Sequence, residues 1–197
     1  VNKGVIMMSP RKITSQELTK EIILQKARSQ FVQKGFQQVS MRSIAKLLGC
    51  SHGAIYYHFK NKAELFYAIV EEDFSKLNNR LEETIQESED DLTKLFNVLI
   101  RFIEFGLNHQ SQYEIMFSIR NTEVDSLSQV AANHSYQKFA QTVQSVSKKK
   151  LDIIDVRSAF IALHGFVSHY RGYVDNFEEA RLAAELHVKF IIKGLNG

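Results

Sequence analysis

The sequence has few of the residues that interrupt helices or cross-link a chain. Its 197 residues include one proline, nine glycines, one cysteine and no tryptophan. A single cysteine excludes a disulfide within this chain and suits a reducing compartment, so we expect a cytoplasmic protein. Scarce proline and glycine favour long uninterrupted helices. Strand-like alternation of useful length is also lacking, and the expected fold class is all-α.

Long apolar runs are missing too. None approaches the roughly 20 residues that a helix needs to cross a bilayer, so no membrane partner is expected. The first residues, VNKGVIMMSPRK, lack the apolar core and cleavage site of a signal peptide. We interpret residues 1–13 as a flexible N-terminal arm. The length allows a small domain followed by a larger one, each with its own core.

The most informative segment is residues 40–62, which have the sequence SMRSIAKLLGCSHGAIYYHFKNK. Ser40 is a good N-cap for a helix with an apolar face. Gly49 predicts the end of that helix, because glycine adopts a left-handed backbone cheaply. Ser51 then caps a second helix over residues 52–58. Two short helices joined by about three residues are typical of a DNA-binding helix-turn-helix.

The outer face of the second helix carries groups that suit DNA binding. They are His52, Gly53, Ala54, Tyr56, Tyr57 and His58, followed by Lys60 and Lys62. Phenol, imidazole and ammonium groups donate to phosphate oxygens or reach base edges, and small residues allow a close backbone approach. The same pattern also fits a helical hairpin whose tyrosines pack on a neighbouring helix, so by itself it leaves both interpretations open.

The charge distribution favours the first interpretation. Residues 1–62 hold 11 lysines and arginines against two acids, a formal balance of +9, whereas the remaining residues hold 14 basic and 20 acidic side chains, a balance of −6. The total of +3 therefore conceals two regions of opposite sign. A basic region that coincides with a helix-turn-helix is the electrostatic pattern of a protein that binds duplex DNA.

A resemblance to a known family covers Leu18 to Glu71. The residues that carry it are Phe31, Lys34, Gly35, Phe36, Ile44, Ala45, Gly49, Ser51, Gly53, the run Ile55 to Phe59, Asn61, Lys62, Glu64 and Leu65. In these residues the chain resembles the TetR-like (tetracycline-repressor-like) bacterial transcription regulators. The resemblance implies a three-helix domain, residues 14–62, that binds double-stranded operator DNA. It also implies an all-helical domain, residues 63–197, that forms a homodimer and binds a small-molecule inducer.

The resemblance further implies which residues contact DNA. Carried over by matching position, these are Arg42, His52, Gly53, Ala54, Tyr56, Tyr57, His58 and Lys62. Lys62 is implied as a phosphate contact at the start of the fourth helix, where Asn61 is the expected cap and Glu64 occupies the reciprocal capping-box position. His52 departs from the common pattern at an exposed reading position, so the operator sequence does not follow from the family.

Apolar spacing predicts further helices beyond the helix-turn-helix. The predicted segments are residues 62–87, 91–108, 113–119, 125–147, 152–174 and 178–195. The last two carry many small residues: Ala159, Ala162, Gly165, Ala180, Ala183 and Ala184. Small residues let helices approach closely, and the resemblance implies that this pair builds a four-helix bundle with its twin. Packing within one chain is the alternative explanation.

The C-terminal region also holds most of the aromatic residues. The candidate ligand-binding set is Phe102, Phe105, Tyr113, Met116, Phe117, Tyr136, Phe139, Phe160, His164, Phe166 and Tyr170. An apolar lining with a few polar groups is typical of ligand pockets, and it suits a small apolar or aromatic inducer. The same composition describes a packed helical core, so both interpretations stay open.

Nothing in the sequence indicates an enzyme. Five histidines lie in the C-terminal region, but His164 and His169 are five residues apart and so fall on different helix faces, which argues against a metal site. The only cysteine lies in the turn of the DNA motif, and phosphate loops and dinucleotide fingerprints are missing. We expect no catalytic residue, metal or cofactor. The function predicted is a ligand-responsive transcription factor that represses; the alternative is a helical DNA-binding or partner-docking protein without an inducer.

Overall fold

The computed structural model describes residues 18–86, 90–117 and 125–196, and the helices in these ranges confirm the all-α fold class. They are α1 (Lys20–Gln38), α2 (Met41–Leu48), α3 (His52–His58), α4 (Lys62–Ile85), α5 (Asp91–Asn108), α6 (Gln110–Phe117), α7 (Asp125–Ser145), α8 (Ile153–Tyr170) and α9 (Phe177–Asn196). None of them is long and apolar enough to cross a membrane. The arm predicted for residues 1–13 lies outside the described residues.

The chain divides into two compact units, Val1–Phe66 and Tyr67–Gly197. The division falls inside α4, four residues after the boundary that we predicted at residue 62. In the first unit the aromatic rings of Phe31, Phe36 and Phe66 form the centre of the core, with centroids 5.1 to 5.8 Å apart. Gly35 interrupts α1 with φ 74° and ψ 163°, a conformation that favours glycine.

The helix-turn-helix forms as the capping residues predict. The Oγ atom of Ser40 accepts the N–H of Ser43 at 3.1 Å, and the Oγ atom of Ser43 accepts the N–H of Ser40 at 3.0 Å. Gly49 ends α2 in the left-handed region with φ 67° and ψ 22°. Ser51 caps α3 by accepting the N–H of Ala54 at 3.2 Å. These local hydrogen bonds fix the turn between the two helices.

The start of α4 differs from the predicted capping box. Asn61 accepts the N–H of Glu64 at 2.8 Å, as expected. The carboxylate of Glu64, however, accepts from the N–H of Lys60 at 2.7 Å, one residue before the cap. The carboxylate therefore holds the loop that joins α3 to α4.

Two other helix limits differ from the prediction by three residues or more, each for an identifiable reason. α6 begins at Gln110, three residues before the predicted start, because its first turn is polar and escapes an apolar pattern. Gln110 instead binds the α8–α9 turn: its amide donates to the carbonyl of Val174 at 2.8 Å and accepts from the N–H of Gly172 at 3.1 Å. α8 ends at Tyr170 rather than Val174, because the left-handed Gly172 (φ 87°) stops it. The predicted ends at residues 87 and 119 lie outside the described residues.

In the second unit α5 packs against α6, α7, α8 and α9, and Gly106 marks its closest approach to α8. A methyl group at residue 106 would lie 2.6 Å from Cγ1 of Val167 and 3.1 Å from Cδ2 of Tyr113. Valine has one strongly preferred χ1 rotamer in a helix, so the Val167 side chain cannot easily rotate away from the added methyl group. The glycine therefore allows the two helix backbones to pack at this distance.

We expect Gly106→Ala to lower the free energy of unfolding by about 1–3 kcal/mol, the usual cost of overpacking a core. Gly53→Ala, measured without DNA, is the control, because nothing lies within 4 Å of its added methyl group and alanine is the better helix former. Urea denaturation of both variants measures the difference. Equal stability of the two variants would show that the α5–α8 contact is not tight.

Candidate nucleic-acid interface

The residues predicted to contact DNA lie in the first unit, and five of the eight are exposed. Arg42, His52, Gly53, Tyr56 and Tyr57 are exposed, and Tyr57 keeps 87% of its surface accessible. Ala54, His58 and Lys62 are half-buried. On the opposite face of α3, Ile55 is fully buried, and Phe59 at its C-cap is also buried. The apolar side of α3 therefore packs on the core, and its two tyrosines and two histidines lie outside the core.

A groove of about 420 Å³ lies between the start of α2, the face of α3 and the start of α4. It is lined by Val39, Ser40, Met41, Arg42, His52, Tyr56, Asn61 and Lys62. The rings of His52 and Tyr56 meet edge to face with centroids 4.6 Å apart. The structure thus brings Arg42, His52 and Tyr56 together around one concave surface, while Gly53 and Tyr57 lie outside its lining. Sequence reasoning had treated Asn61 only as a helix cap.

Lys62 has partners inside the first unit. Its ammonium donates to the carbonyl of Phe36 at 2.9 Å and lies 4.1 Å above the centroid of the Phe36 ring. The sequence assigned Lys62 to a DNA phosphate by resemblance alone. The pairing with Phe36, 26 positions away, has no local sequence signal and appears only in the fold.

Comparison with known proteins identifies the family of this chain. Residues 23–69 match the model of the family described as bacterial regulatory proteins, tetR family. The chain is 30% identical over 177 residues to the HTH-type transcriptional regulator AcrR of Shigella flexneri, covering 83% of this chain and 81% of that protein. The chain belongs to the TetR family. It is a DNA-binding transcriptional regulator with a helix-turn-helix.

Further comparisons give another HTH-type transcriptional regulator and the same fold. The HTH-type transcriptional regulator TtgR of Pseudomonas putida is 38% identical over 65 residues, which cover 33% of this chain and 30% of that protein. The fold resembles that of FadR from Bacillus subtilis in complex with stearoyl-CoA, with a TM-score of 0.75, 19% identity and coverage of 89% of this chain and 99% of that chain. NalD of Pseudomonas aeruginosa gives a TM-score of 0.66, 22% identity and coverage of 89% and 94%.

The predicted ligand-binding set contains one cluster of contacting rings, which is formed by seven of its members: Phe102, Tyr113, Phe117, Tyr136, Phe139, Phe160 and His164. Phe102, Phe105, Tyr113, Met116 and Phe139 are buried, and the remaining six are half-buried. Ring centroids lie 4.6 Å apart for Tyr113 and Phe117 and 5.7 Å apart for Phe102 and Phe160. Tyr136 and Phe139 contact the same Phe160 ring. Phe166 stacks on Tyr170 and His187.

The same unit contains a cavity of about 480 Å³ that the sequence did not predict. Its lining is Lys76, Arg80, Glu104, Phe105, Asn108, His109 and Gln112, so Phe105 belongs to both the predicted set and the cavity. Beside it the buried carboxylate of Asp73 accepts from the amide of Gln112 at 3.0 Å. The search for apolar spacing missed this cavity because six of its seven lining residues are polar or charged.

A hydrogen bond joins two titratable groups inside the aromatic cluster. The hydroxyl oxygen of Tyr113 lies 2.6 Å from Nδ1 of His164. Burial raises the pKa of Tyr113 well above its ordinary value, so the phenol stays protonated and donates a hydrogen bond to the imidazole. Burial, with a smaller contribution from the charge of Arg171, lowers the pKa of His164. The neutral imidazole is therefore the form that the fold favours.

The lowered pKa of His164 makes the free energy of unfolding depend on pH. As the pH falls through about 6.5, the usual histidine pKa, the unfolded chain binds a proton before the folded one does. We therefore expect the free energy of unfolding to fall until the pH passes the lower pKa of folded His164. His164→Asn keeps a hydrogen-bond acceptor near the phenol and should make the free energy of unfolding depend less steeply on pH. Some dependence remains, because burial also lowers the pKa of His109. Urea titrations between about pH 5 and 8 measure the free energy of unfolding of the wild type and of His164→Asn. Identical slopes of this free energy against pH in the two proteins would contradict the role of His164.

The small residues predicted for the dimer interface occupy two different environments. Ala159, Ala180 and Ala184 are buried within the single chain, so they pack α8 and α9 onto their own unit. Ala162 and Ala183 are half-buried and Gly165 is exposed. The surface of these helices instead shows large apolar residues: Ile154 and Ile161 on α8, and Leu182, Leu186 and Phe190 on α9. An alanine pattern cannot distinguish close packing inside a chain from packing between chains, so the part of these residues in a dimer interface stays a prediction.

Proposed function

We propose that this TetR-family regulator is a homodimeric repressor that binds two operator half-sites through α2 and α3 and is released by a small-molecule inducer. The observation that carries the proposal is the exposed groove where Arg42, His52 and Tyr56 converge. A guanidinium, an imidazole and a phenol all donate to phosphate oxygens, and an exposed histidine also reaches base edges. Exposed Gly53 and Tyr57 and half-buried Ala54 and His58 complete the proposed contact surface.

The exposed face of α8 and α9 supports the homodimer. Its apolar residues recur at helical spacing, with Leu182, Leu186 and Phe190 four residues apart, and each keeps more than half of its surface exposed. A groove of about 510 Å³ between the two helices is lined in part by Ala162, Phe190 and Gly194. Contiguous exposed apolar surface marks interaction sites in proteins that are not membrane-bound. A two-fold dimer would bury this face and set the spacing of two recognition helices.

The cavity between α4, α5 and α6 is the site that we propose for the inducer. Two cations from one face of α4, Lys76 and Arg80, line it together with Glu104 and Phe105 of α5, and the Arg80 guanidinium lies 3.9 Å from the Glu104 carboxylate. This lining favours a ligand that combines an aromatic or apolar part with hydrogen-bonding groups, rather than a wholly apolar one. That FadR, which shares the fold, has been solved in complex with stearoyl-CoA supports small-molecule binding by this architecture. NalD, described as a repressor of a multidrug efflux pump, supports repression.

Release would follow from unequal binding to two conformations. An inducer that binds best when the two recognition helices are wrongly spaced shifts the population toward that form and lowers operator affinity. Because α4 lines the proposed cavity and also extends into the first unit, it is the element through which we propose the coupling. By reciprocity the operator must weaken inducer binding by the same factor.

Selection of DNA fragments from a random pool by the pure protein tests the proposal. The enriched sequences should contain an inverted repeat whose half-sites are centred about one helical turn, or a small multiple of it, apart. A small-molecule screen then uses the selected operator, and an inducer must both raise the thermal stability and weaken DNA binding. Enrichment without any repeat would contradict a dimeric operator-binding protein.

The packed aromatic cluster favours one alternative, a DNA-binding protein of the same family without an inducer. Its rings pack against one another, as the packed-core interpretation of the sequence expects. The response to a bound compound distinguishes the two functions. Only the ligand-responsive regulator loses operator affinity when a stabilising compound binds. Phe105→Ala, at the cavity, should weaken such a response while leaving ligand-free operator affinity nearly unchanged.

A further inference from the structure

We propose that Asn108 and Gln110 couple the cavity proposed for the inducer to α8 and α9, the helices proposed to form the dimer. Both residues belong to the α5–α6 corner, residues 108–110, which joins the end of α5 to the start of α6. Their side chains bind the α8–α9 turn, residues 171–176, and the first residue of α9. This coupling rests on the proposed function and names residues that carry its regulation.

Asn108 caps α9 from another helix. Its Oδ1 atom accepts the backbone N–H of Phe177, the first residue of α9, at 2.9 Å. The first four N–H groups of a helix have no partner within that helix. The N–H of Glu178 finds a local one, Oδ1 of Asn176, at 2.9 Å. Because Phe177 is buried, loss of the acceptor from Asn108 destabilises the start of α9.

Gln110 holds the α8–α9 turn itself. Its Nε2 atom donates to the carbonyl of Val174 at 2.8 Å, and its Oε1 atom accepts from the N–H of Gly172 at 3.1 Å. Both ends of one side-chain amide therefore bind the same turn. This turn sets the angle between α8 and α9, so Gln110 fixes the relative position of the two helices.

The α5–α6 corner also forms one wall of the cavity. Asn108 and His109 line the cavity, and so does Gln112 in the first turn of α6. The Asn108 side chain is exposed, so a ligand in the cavity can reach its amide. A ligand with a hydrogen-bonding group beside an aromatic part can draw this amide toward itself and away from Phe177. Binding in the cavity then loosens the start of α9 and changes how α8 and α9 pair with their twins.

Hydrogen exchange without DNA or ligand tests the two contacts. The variants are Asn108→Ala and Gln110→Ala, and the control is Ser111→Ala, because Ser111 is exposed on α6 and lies outside the cavity lining. Loss of Asn108 should speed amide exchange at the start of α9 about tenfold, and loss of Gln110 should do so at Gly172. Exchange in the middle of α5 should keep the wild-type rate in all three variants. Asn108→Asp retains the accepting oxygen and should exchange like the wild type.

A tethered probe tests the coupling from the cavity. Lys76→Cys is made together with Cys50→Val, which removes the only natural thiol, and is alkylated with iodoacetanilide. The label carries an amide and a phenyl ring into the cavity, and mass spectrometry confirms that it is complete. It should speed exchange at the start of α9 about tenfold and raise the dimer dissociation constant about tenfold. The same label on Val130→Cys, which is exposed on α7 outside the cavity lining, should do neither.

Three results overturn the proposal. The first is wild-type exchange at the turn and at the start of α9 in both alanine variants. The second is faster exchange throughout the second unit, which would show only a general loss of stability. The third is a label at residue 76 that leaves α9 unchanged, or that acts equally when Asn108→Ala has already removed the cap. These measurements use no DNA, so failure to select an operator would contradict the proposed function and leave the coupling result intact.

Discussion

Replacing Leu186 by arginine is expected to convert the protein to monomers and to lower operator affinity at least about 100-fold. Leu186 lies on the outer face of α9 with 58% of its surface exposed, so a single chain tolerates the change. In a dimer built on this face the arginine and its two-fold copy would be buried without partners, which costs several kcal/mol. Each half-site would then be bound by one subunit alone.

Sedimentation at micromolar concentration measures the change in mass. Val130→Arg is the matched control, because Val130 is an equally exposed apolar residue on α7, outside the α8–α9 face. The control should remain dimeric and bind operator normally. A dimer that survives Leu186→Arg would place the interface on another surface.

Replacing Arg42 and Tyr56 together by alanine is expected to lower operator affinity by at least about 100-fold while the protein stays folded and dimeric. Both side chains are exposed and line the groove, so their removal leaves the core intact. Hydrogen bonds to charged groups contribute about 1.5–3 kcal/mol each, and a dimer loses them at both half-sites. Only arginine carries a charge, so the salt dependence should become shallower by about one unit per subunit.

A matched charge loss controls for long-range electrostatics. Lys148→Ala removes one exposed cation from the second unit, in the loop between α7 and α8. It should change operator affinity little. Equal losses in Lys148→Ala and in the double variant would mean that net charge, and not the groove, governs binding.

The first unit was the more predictable of the two because its signals are local. Ser40, Gly49 and Ser51 act within three or four residues of their own positions, and each adopts the expected cap or turn. The limits of α3 and α5 followed from such caps and from apolar spacing. Lys62 shows the limit of this reasoning, since its partner lies 26 positions away and depends on an interruption of α1 at Gly35.

The second unit was less predictable because composition does not specify which neighbour a side chain meets. Ala184 and Leu186 lie two residues apart on α9, yet the alanine is buried in its own chain and the leucine faces outward. Aromatic residues suit a pocket and a packed core equally well, and ring contacts between Phe102 and Phe160 show packing. The cavity lined by Lys76 and Arg80 depends on tertiary proximity, which helical spacing alone does not encode.

The most direct test of the proposed function is the ratio of affinities for the selected operator and for a scrambled duplex of the same length and composition. Fluorescence anisotropy at fixed physiological salt measures both with the same protein. A sequence-specific dimeric regulator should prefer its operator by at least about 1,000-fold, and Arg42→Ala should weaken both affinities. Equal affinity for the two duplexes would contradict the account, because the basic first unit would then attract DNA without reading its sequence.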